Sequence, residues 1–500
     1  MKSMKDNRRF LICIPLALLV IVGAGFFAYD VLLAFVKYTP LRGVFGSDFV
    51  GLSNFSRVFQ TPQIGAQVGN SLVQTLLTVV IGLPFGVLIA LVLGMISHRP
   101  IKAAAAGMML LIALIPEILW TQLGMNLANA MNNLVSAAGG EPPYLQNNYL
   151  LVFALSKIVP QTALCAFGGL CLNLSEEKNG ALGALLVGLL PLLTVLLPDL
   201  RMNLLAGTPI NYAVSDTLSS NAYRAGLMNM QISQASAMSV FGMLISLFAG
   251  LVPAILIGLL ATRKPQMVKV DLPDNAWLTE GLFAVVGAVA AGAAALVVSA
   301  LGGGLMMDAT MGRALGSTLL TAVLAAILAL IVCTVMLVCS RHCRSGIPFG
   351  IIALILSLLS VFNMSDYLLP RSMGVMNTVF PAAFGVLVHP VFIAVLVVLI
   401  ACRPASDRQL LLTAVGGAAI AAAISTGDWF NPTVFITSSA KQPLSSLMRR
   451  AMMTADAGAG GAATLLVAVC AVLGVIGVAL VMAGLGGTRL HRVSHSQQAE

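Results

Sequence analysis

Charge is scarce in this chain: Asp, Glu, Lys and Arg together make up 9% of its 500 residues, against about 25% in an ordinary soluble domain. So few charges cannot cover a water-exposed surface, which excludes disordered, collagenous and soluble-enzyme classes together. A disulfide framework is missing as well. The eight cysteines lie in apolar runs or in short loops assigned to the inside, with no Cys-x-x-Cys spacing. A phosphate cradle is also lacking, since none of the nine lysines follows a glycine as a Walker loop requires. HExxH, EF-hand and GxSxG patterns do not occur, and the close acidic pair Asp271 and Asp274 reads as solvated linker. No catalysis, cofactor or metal is therefore expected of this chain, and any ATP-driven step needs a second subunit.

What the chain does contain is hydrocarbon, at 59% hydrophobic residues and a mean hydropathy of +0.97. A window of about 20 apolar residues predicts about twelve membrane spans, near 10–36, 71–96, 102–124, 149–173, 182–200, 236–262, 281–304, 316–339, 347–363, 379–402, 410–425 and 462–485. The first run is too long for a signal-peptide core and is expected to stay as an anchor. The formal charge of +9 is scattered beside the runs, which points to orientation in a bilayer rather than to nucleic acid. Placing Lys2, Lys5, Arg8 and Arg9 inside makes basic residues roughly threefold denser on that side. Both termini are then expected on the cytoplasmic side of a cell membrane, with Tyr38, Tyr144, Tyr149, Tyr212, Tyr223, Tyr367 and Trp429 on or near the outer face.

The runs divide evenly at the polar segment 263–280, giving halves 1–262 and 281–500 with six spans each. Ser71-x-x-x-Thr75 and Ser317-x-x-x-Thr321 occupy the second span of each half, each ahead of a short basic loop. Six is even, so such halves are parallel repeats about an axis along the membrane normal.

Ionisable residues inside spans are costly in lipid and mark pathways or buried pairs. Asp30, Glu117 and Lys157 stand at similar depths from the outer ends of their spans, so Lys157 is placed to pair with either carboxylate. His389 is alone among apolar neighbours and reads more simply as a core histidine. The external segments 125–148 and 201–235 are rich in Asn and Tyr, a set that suits neutral polyhydroxylated ligands as well as plain solvation.

Three stretches resemble the permease subunits of binding-protein-dependent ABC importers of the complex-carbohydrate group. The first is Ala34 to Phe55, AFVKYTPLRGVFGSDFVGLSNF. The second is Thr208-Pro209-x-x-Tyr212-x-x-Ser215-Asp216-x6-Tyr223-Arg224-x-Gly226-Leu227. The third is similar to the partner permease: 369–378, Gly427-Asp428-Trp429-Phe430-Asn431-Pro432, and the distal 442–450. The resemblance implies an all-α membrane protein in which two permease subunits, usually separate, are joined. It further implies cytoplasmic ABC ATPase partners, an external solute-binding protein and an oligosaccharide substrate. Tyr212, Asp216, Tyr223, Arg224, Trp429 and Asn431 are expected to face outward. In the family a cytoplasmic EAA loop docks on the ATPase; the matching segments here carry Glu176, Glu177 and Gly180, then Asp407 and Arg408. The paired alanines are gone from the first and the second has no EAA pattern, so the contact has either diverged or lost its coupling. Two rival readings stand beside the importer. One is an ion-coupled carrier using Asp30, Glu117 and Lys157; the other is a degenerate permease acting as a scaffold or sensor.

Overall fold

Lipid offers the backbone no hydrogen-bond partners, so a long apolar run is stable there only as a helix. The described residues are helical almost throughout. The computed structural model describes residues 2–96, 98–140, 145–176, 180–262, 309–342, 346–404, 406–454 and 459–486. It is an all-α membrane protein with one small hairpin, β1 (Val36–Thr39) antiparallel to β2 (Gly43–Phe49), in which Val36 faces Phe49.

The first half contains α1 (Lys2–Phe35), α2 (Ser53–Gln60), α3 (Ile64–Gly94), α4 (Arg99–Leu114), α5 (Glu117–Ala137), α6 (Leu145–Phe153), α7 (Val159–Glu176) and α8 (Gly180–Gly188). It continues with α9 (Arg201–Ala206), α10 (Tyr212–Ser215), α11 (Leu218–Tyr223) and α12 (Ile232–Thr262). The second half contains α13 (Ala309–His342), α14 (Ile347–Leu359), α15 (Met364–Ser372), α16 (Phe380–Gly385), α17 (Pro390–Cys402), α18 (Asp407–Gly427), α19 (Phe430–Phe435), α20 (Leu444–Thr454) and α21 (Ala459–Gly486).

Among the described residues 6 helices are long and apolar enough to cross a membrane, or up to 9 if each bent pair is one span. The shorter apolar helices Val20–Phe35 and Gly180–Thr194 coincide with the first and fifth expected runs. The seventh run, the polar segment 263–280 and the pair Asp271 and Asp274 lie outside the described residues. The expected count of about twelve thus rests in part on residues not described.

Three expected straight spans are broken. The third bends by 75° between α4 and α5, the ninth by 76° between α14 and α15, and the tenth by 52° before α17. Proline explains two of them, since it lacks an N–H and drives the preceding residue out of the helical region. Ile115 and His389, each followed by proline, have ψ of 124° and 133°. At the third break Asn363 and Asp366 form a reciprocal capping box that starts α15. The segments 125–137 and 201–235, expected as loops, are largely helical.

The halves meet reciprocally. The sixth span of the first half, α12, packs on the third of the second, α14; α4 packs on α21; and the fourth spans, α7 and α17, pack on each other. The first contact is close enough to require glycine: a Cβ at Gly350 would lie 1.9 Å from the Ala254 carbonyl oxygen. The Ser-x-x-x-Thr repeat has matching roles one residue out of step. Ser71 Oγ accepts from the Leu218 N–H and Thr318 Oγ1 from the Leu444 N–H, both at 3.0 Å, each tying a second span to a segment ahead of the sixth. α1 crosses over, and its Gly23 lies against Ile355 and Leu359 of α14.

Candidate functional site

The bent spans turn their break points toward one place. A cavity of about 210 Å³ lies where α7 and α17 approach each other, walled by both halves. Its ionisable lining consists of Glu117, Lys157, Asp199 and Arg201 from the first half and His389 and Asp428 from the second.

Each is positioned by local backbone. Glu117 is the first residue of α5, delivered by the Pro116 break. Lys157 sits in a π-helical turn, Ala154–Ile158, whose widened geometry re-aims a side chain within an otherwise regular span. Asp199 stands at the end of the run 182–200 and Asp428 ends α18, where it caps the next turn by accepting from the Phe430 N–H (3.0 Å) and Asn431 Nδ2 (2.5 Å). His389 ends the bend before α17, its Nδ1 accepting from the Val391 N–H at 3.3 Å.

Together they form one ion-pair chain. Lys157 Nζ lies 2.5 Å from Glu117 Oε1 and 2.9 Å from Asp199 Oδ2. Arg201 Nη1 is 3.1 Å from Asp199 Oδ1, and its Nε is 3.7 Å from Asp428 Oδ1 across the interface. The Arg201 guanidinium also stands over the Phe430 ring at 5.5 Å. In a low-dielectric wall each of these charges depends on its partners, because an unpaired one would cost several kcal/mol. On one side of the interface, Tyr223 packs between Phe362 and Phe430, with ring centroids 5.4 and 5.6 Å away.

Several expected placements change. Asp30 is not part of the Lys157 cluster. It is buried against the second half, accepting from the Ser365 N–H (3.0 Å) and Oγ (2.5 Å). Asp30 lies on α1, which packs on α14 and α15 of the second half, so its carboxylate meets Ser365 there and only Glu117 of the two reaches Lys157. Trp429 is 1% exposed and Asn431 8%, so neither faces outward; both are drawn in by the Asp428 turn. Asp216 is also buried, held by Arg224 (Nη2–Oδ1 2.5 Å), Gln67 and Ser220, while the Arg224 guanidinium covers the Tyr212 ring at 4.2 Å. Tyr212, Tyr223 and Arg224 are half-buried.

The two segments matched to coupling loops do lie at the same end of the molecule, for α7 and α8 both pack on α17 and Cys171 of α7 is near Cys402 of α17. Gly180 is buried against Ala90 and Gly169, so it serves the α7–α8 hairpin and presents no surface. Glu177 and the side chain of Glu176 lie outside the described residues. Asp407 and Arg408 are exposed. Arg341 fixes their loop, its Nη1 2.6 Å from Asp407 Oδ1 and its Nε donating to the Pro404 carbonyl at 2.7 Å, with a further bond to Ser406.

Sequence reasoning missed Asp199, Arg201 and the inward role of Asp428. A signal was available: an aspartate stands near the end of the fifth apolar run in both halves, Asp199 within 182–200 and Asp428 three residues beyond 410–425.

No family model matches the chain, and no curated protein does. Among solved structures it is similar to a chain of a bacterial alginate ABC transporter in complex with an alginate pentasaccharide-bound periplasmic protein. That pair has 18% identity and a TM-score of 0.38 over 51% of this chain and 96% of the other. A chain of a bacterial ABC transporter involved in the import of the acidic polysaccharide alginate is similar at 17% identity and a TM-score of 0.37, over 51% and 98%. Likeness at this level assigns no activity to this chain.

Proposed function

We propose that this chain is the membrane permease of an ABC importer, two six-span units in one polypeptide. It takes an oligosaccharide or related solute from an external binding protein and passes it inward by alternating access. ATP is hydrolysed by a separate cytoplasmic subunit at the end bearing Asp407 and Arg408. The observation that carries this reading is the charged cavity on the interface where the fourth spans of the two halves meet. A conduit between reciprocally packed units needs such a place, and rocking one half against the other would open it to either side. The sequence resemblance in 34–55 and 208–227 supports the importer class. The test is reconstitution in vesicles with candidate ATPases and binding proteins. Solute uptake that requires ATP inside the vesicle supports the reading, and lack of association with every ATPase tried removes it.

One observation favours an ion-coupled carrier instead: the chain Glu117, Lys157, Asp199 inside the cavity has the composition of a proton relay. Uptake that survives ATP depletion and collapses with an uncoupler would select that reading.

A further inference from the structure

The segment between the first two spans carries an uncovered face that is both apolar and basic. Residues 36–63 hold the cations Lys37, Arg42 and Arg57 against the single acid Asp48, which Arg42 matches at 3.5 Å. Lys37 and Arg57 are exposed and pair with no acid among the described residues. In the same segment Phe45, Phe49, Leu52 and Phe59 are 89%, 75%, 67% and 53% exposed. So many bared large side chains mark a contact surface. The segment is firmly held from behind. Buried Asn54 donates from Nδ2 to the Ala34 and Val36 carbonyls at 2.9 Å each, which fastens α2 to the end of α1, and Val58 one turn on is buried as well.

Two contacts with α12 give the depth of this face. The Tyr38 N–H donates to Ser233 Oγ at 2.9 Å, in the first turn of α12. The Phe59 ring meets Phe241 edge-on at 5.1 Å, about 8 residues or roughly 12 Å further along that helix. From Phe241 to the end of α12 at Thr262 is about 21 residues, roughly 32 Å, which is the thickness of a bilayer's hydrocarbon layer. Phe59 therefore lies at one edge of the hydrocarbon, with Tyr38 at headgroup level. Ile245, Phe248 and Val252 follow Phe241 on one side of α12 and are exposed, the stripe that a spanning helix turns to lipid. Phe59 continues that stripe upward.

We propose that residues 36–60 are an interfacial anchor, which lies in one leaflet and binds the phosphates of anionic phospholipids through Lys37 and Arg57. An amphipathic element at this depth buries its aromatic rings among the upper acyl carbons while its long basic side chains reach back to the headgroups. The excess of two positive charges favours a headgroup with net negative charge, since a zwitterionic one carries its own cation beside the phosphate. The occupant is the bilayer because a soluble protein could reach Phe59 only by displacing lipid. The inference stands whether the chain is an importer or a carrier.

The test uses the full chain in vesicles, with Phe59→Trp as a local fluorescent probe and the parent's own tryptophan signal subtracted. Phospholipids brominated high in their acyl chains are expected to quench the probe, and acrylamide in the water is not. At equal mole fraction, brominated phosphatidylglycerol is expected to quench as though enriched at least about fivefold around the probe over brominated phosphatidylcholine, the effect of one surface cation. Lys37→Gln and Arg57→Gln should each lower that ratio and together bring it close to one, while Arg57→Lys should keep it; thermal unfolding of each variant shows that a folded chain is being measured. High salt should lower the parent's ratio by screening. Equal quenching by the two lipids overturns headgroup recognition. Quenching by acrylamide with no effect of brominated lipid overturns the membrane placement, and protection from acrylamide that appears only when a solute-binding protein is added overturns it in favour of that partner.

Discussion

Arg201 links the two halves through a pair of aspartates in equivalent places: its Nη1 is 3.1 Å from Asp199 of its own half and its Nε 3.7 Å from Asp428 of the other. One cation thus holds carboxylates of both halves at the edge of the cavity.

Arg201→Gln leaves Asp428 short of its cross-interface cation. Breaking a buried ion pair costs about 3–5 kcal/mol, so the variant's thermal midpoint in detergent should fall clearly. The double variant Arg201→Gln with Asp428→Asn should recover part of that loss, because neighbouring effects are not additive. A single variant as stable as the parent would show that the pair is solvated.

Lys157 serves two carboxylates at 2.5 and 2.9 Å. Lys157→Met should therefore be more damaging than Glu117→Gln, with a loss of about 3–5 kcal/mol for the lysine and less for the glutamate. Chemical unfolding in a mild detergent measures both. Equal losses would argue that Asp199 is satisfied by Arg201 alone.

Gly350 admits the Ala254 carbonyl where a Cβ would stand at 1.9 Å. Gly350→Leu must push α14 away from α12. The expected result is loss of at least about 1–3 kcal/mol and, if residues 1–262 and 281–500 are made as separate chains, loss of their co-purification. Unchanged co-purification would mean that the halves are held elsewhere.

Asp407 is fully exposed and, among the described residues, ion-paired with Arg341. Asp407→Lys should leave thermal stability unchanged while lowering the apparent affinity for a coupled ATPase by roughly tenfold, since repulsion across an interface costs affinity directly. Titrating ATPase into the reconstituted chain measures this. Unaltered affinity would move the contact away from this loop.

Tyr223 closes an aromatic set with Phe362 and Phe430 that joins the first half to the second. Tyr223→Ala is expected to raise ATP hydrolysis without solute, because it removes packing from the interface. No change in basal hydrolysis would show that the set does not gate.

The residues differ in how far they could be read in advance. The paired runs, the Ser71 and Ser317 patterns and the isolation of Lys157 in an apolar segment were legible because each is a local property of sequence. The placement of Trp429 and Asn431 was not: a Gly-Asp-Trp-Phe-Asn-Pro segment after a span resembles an outer turn, and only its packing shows that Asp428 draws it inward. Asp30 failed for a related reason, since its partner Ser365 belongs to the other half.

Hydropathy by itself determined that this is a helical membrane protein, because every run of apolar residues must satisfy its own backbone in lipid wherever its neighbours lie. Tertiary structure decided which charges pair, which spans break toward the cavity and which polar residues are buried. Those outcomes depend on which helix faces meet, and ion pairs in lipid form between surfaces brought together in space, whatever their separation along the chain.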